Sequence, residues 1–390
     1  MKFKDMVIGV PKEIMKSENR VSSTPDTVKK MVADGAKVLV EKGAGAGAFF
    51  SDEQYVAAGA HIESDVTKIF AQSDVILKVK EPLFNENVGK HEAEMLRDGQ
   101  YLIAFLHPAS PTNHDMIRQM ASNGVISFTL DSIPRITRAQ TMDALSSMST
   151  VAGYKGMIKA AVALPKFIPM TGTAVGAIKP ANVLVIGTGV AGLQSVATAK
   201  RLGAVVTAVD IRPDAEEQAR SLGAKTHATG VPADMAVGEG GYAKSLPEEW
   251  LVKEREGLKD LVKNSDVVVL SALIPGKQAP ILITEEMVKS MAPGSYIVDI
   301  SIDQGGNCEC TPAGKVEVIH GVTIDGTKNI PGSVPTSSTW MFSQNIYNFL
   351  AYLANDGKIA LDLNDEIVAA SLTTMNKEIV HAGAKEAMGI

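Results

Sequence analysis

Short apolar runs recur at regular intervals along this chain, each followed by a segment whose apolar residues repeat every three or four positions. In the first third the runs are Val7-Ile-Gly-Val10, Lys37-Val-Leu-Val-Glu41, Val75-Ile-Leu-Lys-Val79 and Tyr101-Leu-Ile-Ala-Phe105. Such a strand–helix rhythm predicts a parallel sheet, because parallel neighbours need a crossover helix between them. Thr24-Pro25-Asp26 offers a capping side chain and a proline at the first helical position, and Val28, Met31 and Val32 continue as an inward stripe. A second series starts at Asn182-Val-Leu-Val-Ile186. It runs through Val205–Val209, Asp266–Leu270 and Tyr296–Ile300 to Gly321–Asp325, and predicts a second α/β domain.

Two further helical segments frame that second series, Ala144 to Lys166 before it and Ser337 to Asn355 after it. They suit a chain that leaves its first domain and later returns. The expected fold class is therefore α/β with two Rossmann-like, doubly wound parallel-sheet domains joined by long helices around a cleft. The first is discontinuous, residues 1–143 completed by 331–390, and the second is 144–330. A cleft of this kind is where a ligand site is expected.

Composition narrows the function classes. A chain of 390 residues exceeds one compact core, and 45% hydrophobic residues with 34 glycines suit a globular α/β enzyme. The net charge of −6 is spread over short mixed-sign stretches, so no basic, aromatic-studded face argues for nucleic acid. The only cysteines, Cys308 and Cys310, are too close for an easy disulfide or shared metal ligation. No metal site is expected, and the reducing cytoplasm is the expected compartment. Met1 to Val10 lacks a signal-peptide pattern. Lys155, Lys159 and Lys166 interrupt the apolar stretch Val151–Met170, so no direct membrane insertion is expected.

The chemistry concentrates at Gly187-Thr-Gly189-Val-Ala-Gly192, which follows the strand at Asn182–Ile186 and opens a helical segment from Val190 to Leu202. In that context the three glycines serve a tight turn, the approach of backbone to a pyrophosphate, and close helix packing. The helix N-terminus supplies N–H groups and positive potential. The next strand ends at Asp210, placed to accept from a ribose diol and to repel a 2′-phosphate. Ile211 and Arg212 follow, and an arginine there is able to hold that phosphate. NAD(H) is the expected cofactor, bound by Gly187, Gly189, Val190, Gly192, Asp210, Ile211 and Arg212. Gly43-Ala-Gly45-Ala-Gly47 has no acid in register and is expected to be a loop.

Taken together, these residues resemble the alanine dehydrogenase and pyridine nucleotide transhydrogenase family over nearly the whole chain. Pro134-Arg135-Ile-Thr-Arg138-Ala-Gln140-Thr-Met-Asp143, followed by Ser146-Ser147 and Ala152-Gly-Tyr154, looks like a loop of the NAD-binding component of the family's proton-translocating, Re/Si-specific transhydrogenases. The resemblance implies that Arg135, Gln140, Asp143 and Ser146 line the nicotinamide end of the site. Gly240-Gly241-Tyr242-Ala-Lys244 looks like a mobile loop that covers the cofactor. Ala272-Leu273-Ile-Pro-Gly276-Lys277 resembles a nucleotide-contacting loop common to both branches.

Other segments are similar to the dehydrogenase branch: Asn19-Arg20-Val21, Lys78-Val-Lys80-Glu-Pro82, Phe105-Leu-His107, Ile302-Asp303-Gln-Gly-Gly306 and Asn329–Pro335. That likeness implies that Arg20 and Lys80 hold a carboxylate while His107 and Asp303 handle protons. The residues alone equally suit quieter roles. His107 before Pro108 suits a structural histidine, Arg20 and Lys80 an ion-pair network with Glu13 and Glu81, and Asp303 a loop cap.

The two branches need different chemistry. Amine oxidation followed by imine hydrolysis moves protons and calls for an acid/base group such as His107. Hydride exchange between two nicotinamides calls only for positioning and exclusion of water. The leading expectation is the NAD(H)-binding alpha component of a transhydrogenase, a homodimer peripheral to the inner face of the membrane. NADP(H) then sits on a partner subunit, and membrane subunits are separate chains. An L-alanine dehydrogenase and a non-catalytic NAD(H)-binding module are the alternatives.

Overall fold

The computed structural model describes residues 1–238, 243–274 and 278–390. Gly240, Gly241 and Tyr242 of one loop, and Gly276 and Lys277 of another, lie outside the described residues. The chain divides into two compact units, Met1–Met148 with Gly332–Ile390, and Ser149–Pro331.

In the first unit an eight-stranded sheet runs in the order Glu378–Ile379, Leu372–Met375, Ile126–Thr129, Tyr101–Ala104, Val75–Leu77, Val7–Val10, Lys37–Glu41, His61–Glu63. The strands up to Thr129 are parallel, and the two C-terminal strands add an antiparallel edge. Numbered along the chain, the parallel strands stand third, second, first, fourth, fifth, sixth, which is the doubly wound order. Helix Pro25–Ala33 forms because Thr24 and Thr27 make a reciprocal capping box and Pro25 occupies the first turn; it buries Thr27, Val28 and Met31.

The second unit repeats that order: Lys225–Thr226, Val205–Val209, Asn182–Ile186, Val267–Leu270, Tyr296–Asp299 and Val322–Asp325, with Val316–Ile319 antiparallel at the edge. Both faces of this sheet are covered. Val183, Val185, Val267 and Val269 enter one core cluster, while Leu184, Ile186, Val268 and Leu270 enter the other. Strands buried on both sides read as unbroken apolar runs, which is why they are visible in the sequence.

The structure departs from expectation at three places, and proline accounts for two of them. The helix expected to reach Lys166 ends at Ala163, because Pro165 lacks the N–H that would extend it. The helix expected from Ser337 begins at Pro335, with proline in its first turn. A hairpin, Thr171–Thr173 with Gly176–Ile178, has no counterpart among the expected strands; it is largely exposed and its tip residue Val175 is 99% exposed. Among the described residues no helix is long and apolar enough to cross a membrane. None of their His, Cys, Asp and Glu side chains cluster in a way that would hold a metal ion.

Candidate functional site

At the carboxyl end of Asn182–Ile186, where strand order reverses, the chain turns through Gly187 into helix Val190–Arg201. Gly187 has φ +84°, and a β-carbon there would lie 2.6 Å from the Ala272 nitrogen, so only glycine fits. A methyl on Gly192 would collide with the Gly187 carbonyl oxygen, so the helix packs directly on the turn. Gly189 is the opposite case, with no atom within 4 Å of a β-carbon position and no side chain capping the helix. The start of the helix is therefore free of side chains at Gly189, with the positive end of the helix dipole behind it. Val190 at that first turn is half-buried.

Asp210 stands beside this turn and is only 7% exposed. Its Oδ2 accepts from the Thr188 amide at 2.7 Å and from Thr188 Oγ1 at 3.2 Å. Arg212 closes a bidentate pair on it, Nε to Oδ1 and Nη2 to Oδ2, both 2.9 Å. The carboxylate thus braces the glycine turn from below and is already matched by a guanidinium. Ile211 between them is half-buried.

A second brace orders the neighbouring loops. Asn307 accepts from Ala272 N at 3.0 Å and Ser301 Oγ at 2.6 Å, and donates to the Ala272 and Pro280 carbonyls. Buried Asp299 holds the Asn307 and Cys308 amides and the Thr311 hydroxyl; burial raises its pKa against those donors. Leu273 is 36% exposed beside this loop. Asp303 is exposed, and its Oδ2 takes the Asn329 amide at 3.4 Å.

The first unit gathers charge at its own strand-order reversal, beyond Val7–Val10 and Val75–Leu77. Fully buried Lys78 pairs with Glu92 at 3.1 Å and Glu13 at 3.4 Å. Burial pushes the Glu13 carboxyl up to about 7 against the pull of Lys78. Arg20 is likewise buried and makes a two-pronged pair with Glu18, 2.8 and 2.6 Å. The network thus exists, but with Lys78 and Glu18 in it. Glu81 has a buried Oε2 without a hydrogen-bond partner, and half-buried Lys80 has no ion-pair partner among the described residues.

His107 sits nearby with φ +45°, its ring stacked on Phe105 at 5.9 Å. Nδ1 lies 2.8 Å from Asp131 Oδ1, and the His107 amide donates to Oδ2 at 2.8 Å. Burial alone would depress the imidazole's pKa, but the Asp131 carboxylate outweighs it and the net shift is upward. In return, burial's upward push on Asp131 is overcome by His107, Thr129 and the backbone, holding that carboxyl well below the usual range.

The Pro134–Asp143 segment leads through a 3-10 turn, Thr137–Met142, into helix Ala144–Ala163. Asp143 accepts from the Ser146 amide at 2.8 Å and hydroxyl at 2.6 Å, capping the helix. Asn345 and Asn348 both donate to the Thr141 carbonyl, and Arg138 bonds Asp365, Glu366 and the Tyr352 hydroxyl. The turn is therefore clamped from helix Pro335–Leu353 and the residues after it, leaving Arg135 and Gln140 exposed. Sequence reasoning missed Asp131, Glu18, Thr188 and Asn307. Three of them carry a signal by standing inside or beside the motifs already singled out, Glu18 before Asn19-Arg20-Val21, Thr188 within the glycine turn and Asn307 after Gly306; Asp131 carries none.

Comparison with known proteins agrees over both units. Residues 9–152 match the family model described as Alanine dehydrogenase/PNT, N-terminal domain, and residues 156–382 match Alanine dehydrogenase/PNT, C-terminal domain. A chain of the NAD(P) transhydrogenase subunit alpha of Rhodospirillum rubrum is 43% identical over 380 residues, covering 96% of this chain and 98% of that one. Alanine dehydrogenase of Methanococcus maripaludis is 32% identical over 390 residues, covering 98% and 96%. The crystal structure of transhydrogenase from Sinorhizobium meliloti superposes with a TM-score of 0.81 at 37% identity, covering 96% of this chain and 99% of that one.

Proposed function

The chain belongs to the alanine dehydrogenase/PNT family, and from that premise we propose that it is the NAD(H)-binding component of an NAD(P) transhydrogenase, exchanging hydride with NADP(H) held on a partner subunit. The observation that carries the coenzyme assignment is the uncapped helix at Val190, reached through a glycine whose β-carbon position is empty. A diphosphate fits such a cradle, since main-chain N–H groups approach it with no side chain between. The higher identity to the transhydrogenase subunit, 43% against 32% for the dehydrogenase, favours that branch.

When bound, the dinucleotide supplies a hydride donor or acceptor at nicotinamide C4. Passing a hydride from a reduced ring to an oxidised one releases no proton, so the protein's work is to bind, orient and keep water out. Gly187, Gly189 and Gly192 shape the phosphate cradle, and Asp210 and Arg212 meet the adenosine ribose. Arg135, Gln140, Asp143 and Ser146 orient the nicotinamide end, on a turn whose rigidity comes from Arg138 and Asn345. Gly241, Tyr242 and Leu273 are proposed to contact the bound coenzyme.

The assembly proposed is a homodimer, cytoplasmic and peripheral at the inner face of the membrane, with NADP-binding and membrane subunits as partners. The test is to mix the chain with an NADP-binding partner subunit and follow hydride transfer from NADH to an NADP analogue. Transfer only in the mixture is expected, and failure with a competent partner would refute the proposal.

A second reading, an amino-acid dehydrogenase, is favoured by the His107–Asp131 pair and the open ammonium of Lys80. Against it, the Arg20 fork already carries Glu18. NADH formation on adding L-alanine and NAD would establish this reading over the first.

A further inference from the structure

Helix Glu248–Lys263 presents a stripe to the sheet of the second unit: Leu251, Leu258 and Val262 pack in the same cluster as Ile186 and Val209. Glu254 belongs to that stripe by spacing, between Leu251 and Leu258, and is only 5% exposed. A carboxylic acid on the buried face of an amphipathic helix is costly unless something answers it. Among the described residues no hydrogen-bond donor or ion-pair partner reaches it. The adjacent Arg255 is committed elsewhere, to the Ile281 carbonyl at 2.9 Å and Glu248 at 2.8 Å. Glu254 stands within electrostatic range of Asp210, and burial followed by that neighbour pushes its carboxyl up to about 7.

The Asp210–Arg212 pair makes this placement consequential. A carboxylate bound two-pronged by a guanidinium presents little net charge, and the guanidinium is itself a phosphate-binding fork. Asp210 alone is therefore a weak barrier to a ribose 2′-phosphate. We propose that Glu254 is a coenzyme-selectivity residue, an unpartnered acid at the adenosine end of the pocket whose negative charge rejects a ribose 2′-phosphate and so reserves the site for NAD(H). The proposal rests on the coenzyme reading above and deepens it.

The charged groups that act on Glu254 are Asp210, at the end of Val205–Val209 and itself paired with Arg212, and Arg255 on its own helix; the nearest histidine along the helix is His227. The last lies with Nε2 4.0 Å from the β-carbon position of Gly257, one turn further along. Since an acid rejects phosphate only when ionised, selectivity should grow as pH rises through neutrality.

The test measures dissociation constants of NADH and NADPH by coenzyme fluorescence on the whole chain at pH 6 and pH 8. Wild type, Glu254→Gln and His227→Gln are compared, with circular dichroism as a fold check. In Glu254→Gln the preference for NADH at pH 8 is expected to shrink about tenfold, as removal of one charge in a low-dielectric pocket implies. NADH affinity should stay within about threefold, since no ligand contact of the main-chain cradle is touched. The change in preference between pH 6 and pH 8 should flatten in that variant and persist in His227→Gln. An unchanged NADPH/NADH ratio in Glu254→Gln, or a pH response that disappears with His227 instead, overturns the assignment. Wild-type chain that binds neither coenzyme overturns the nucleotide reading itself, which separates the two failures.

Discussion

Replacing Gly189 by alanine separates what the helix N-terminus does for the fold from what it does for a ligand. Backbone angles there, φ −69° and ψ −167°, are open to any residue, and no atom lies within 4 Å of the new methyl. Glycine caps a helix better than alanine, so the fold should lose about 0.5–1 kcal/mol. For a domain of this size that lowers the melting temperature by roughly 2–4 °C. Ligand binding is affected differently, because the methyl sits where a phosphate oxygen must approach the N–H groups. Losing two hydrogen bonds to a charged group, at about 1.5–3 kcal/mol each, predicts NADH affinity weaker by roughly a hundredfold or more. Fluorescence titration with NADH and calorimetry on the same preparation give both quantities. Wild-type affinity in a variant that melts normally would show that no diphosphate lies over this helix, and the functional reading would fall with it.

Other perturbations probe the remaining features. Lys78→Met leaves Glu13 and Glu92 buried without their shared cation and should cost about 3–5 kcal/mol at pH 8. The loss should be smaller at pH 5.5. Glu13 already binds its proton up to about 7 in the folded chain against 4.5 in the unfolded one, so the folded state holds more protons across that window and gains stability as pH falls. Urea midpoints at the two pH values decide the matter, and a loss below about 1 kcal/mol at pH 8 would contradict a desolvated triad. Gln140→Ala, on an exposed position of a clamped turn, should slow partner-dependent hydride transfer by about tenfold or more while leaving NADH binding nearly normal; an unaltered rate removes its role. In His107→Gln the melting temperature should fall more at pH 6 than at pH 9. The raised imidazole pKa means its charge pairing with Asp131 is fully present below the unfolded value and disappears as pH climbs through the folded one. Equal losses would mean that charge plays no part.

How much of this was legible follows from the range over which each feature is determined. The glycine turn was readable because its requirements are local: a positive φ at Gly187 and a missing β-carbon at Gly192 are properties of residue type. The parallel strands were readable because burial on both faces leaves unbroken apolar runs such as Val267–Leu270. Edge strands were not, since Glu378–Ile379 and Val316–Ile319 are short, largely exposed and mixed in polarity, and only their partners make them strands. Charge pairing was the least visible. Nothing local says that Glu13 and Glu92 meet at Lys78 rather than Lys80, or that His107 is served by Asp131. Burial of the whole run Val75–Val79 decides the first, carrying Lys78 inside while Lys80 stays half-buried, and the turn Leu130–Ser132 after a neighbouring strand decides the second.

The split first unit also bears on how the molecule comes into being at the ribosome. Strand Ile126–Thr129 is an edge until Leu372–Met375 pairs with it, and the clamp on the Pro134–Asp143 turn begins with Asn345 of helix Pro335–Leu353 and is completed only by Asp365. Between those events the whole inserted unit must be made, an interval on the order of tens of seconds at roughly 5–20 residues per second. A nascent chain therefore carries an unpaired β edge through most of its translation. Protection of that edge, by slow commitment of the early half or by a chaperone, becomes a condition for good yield.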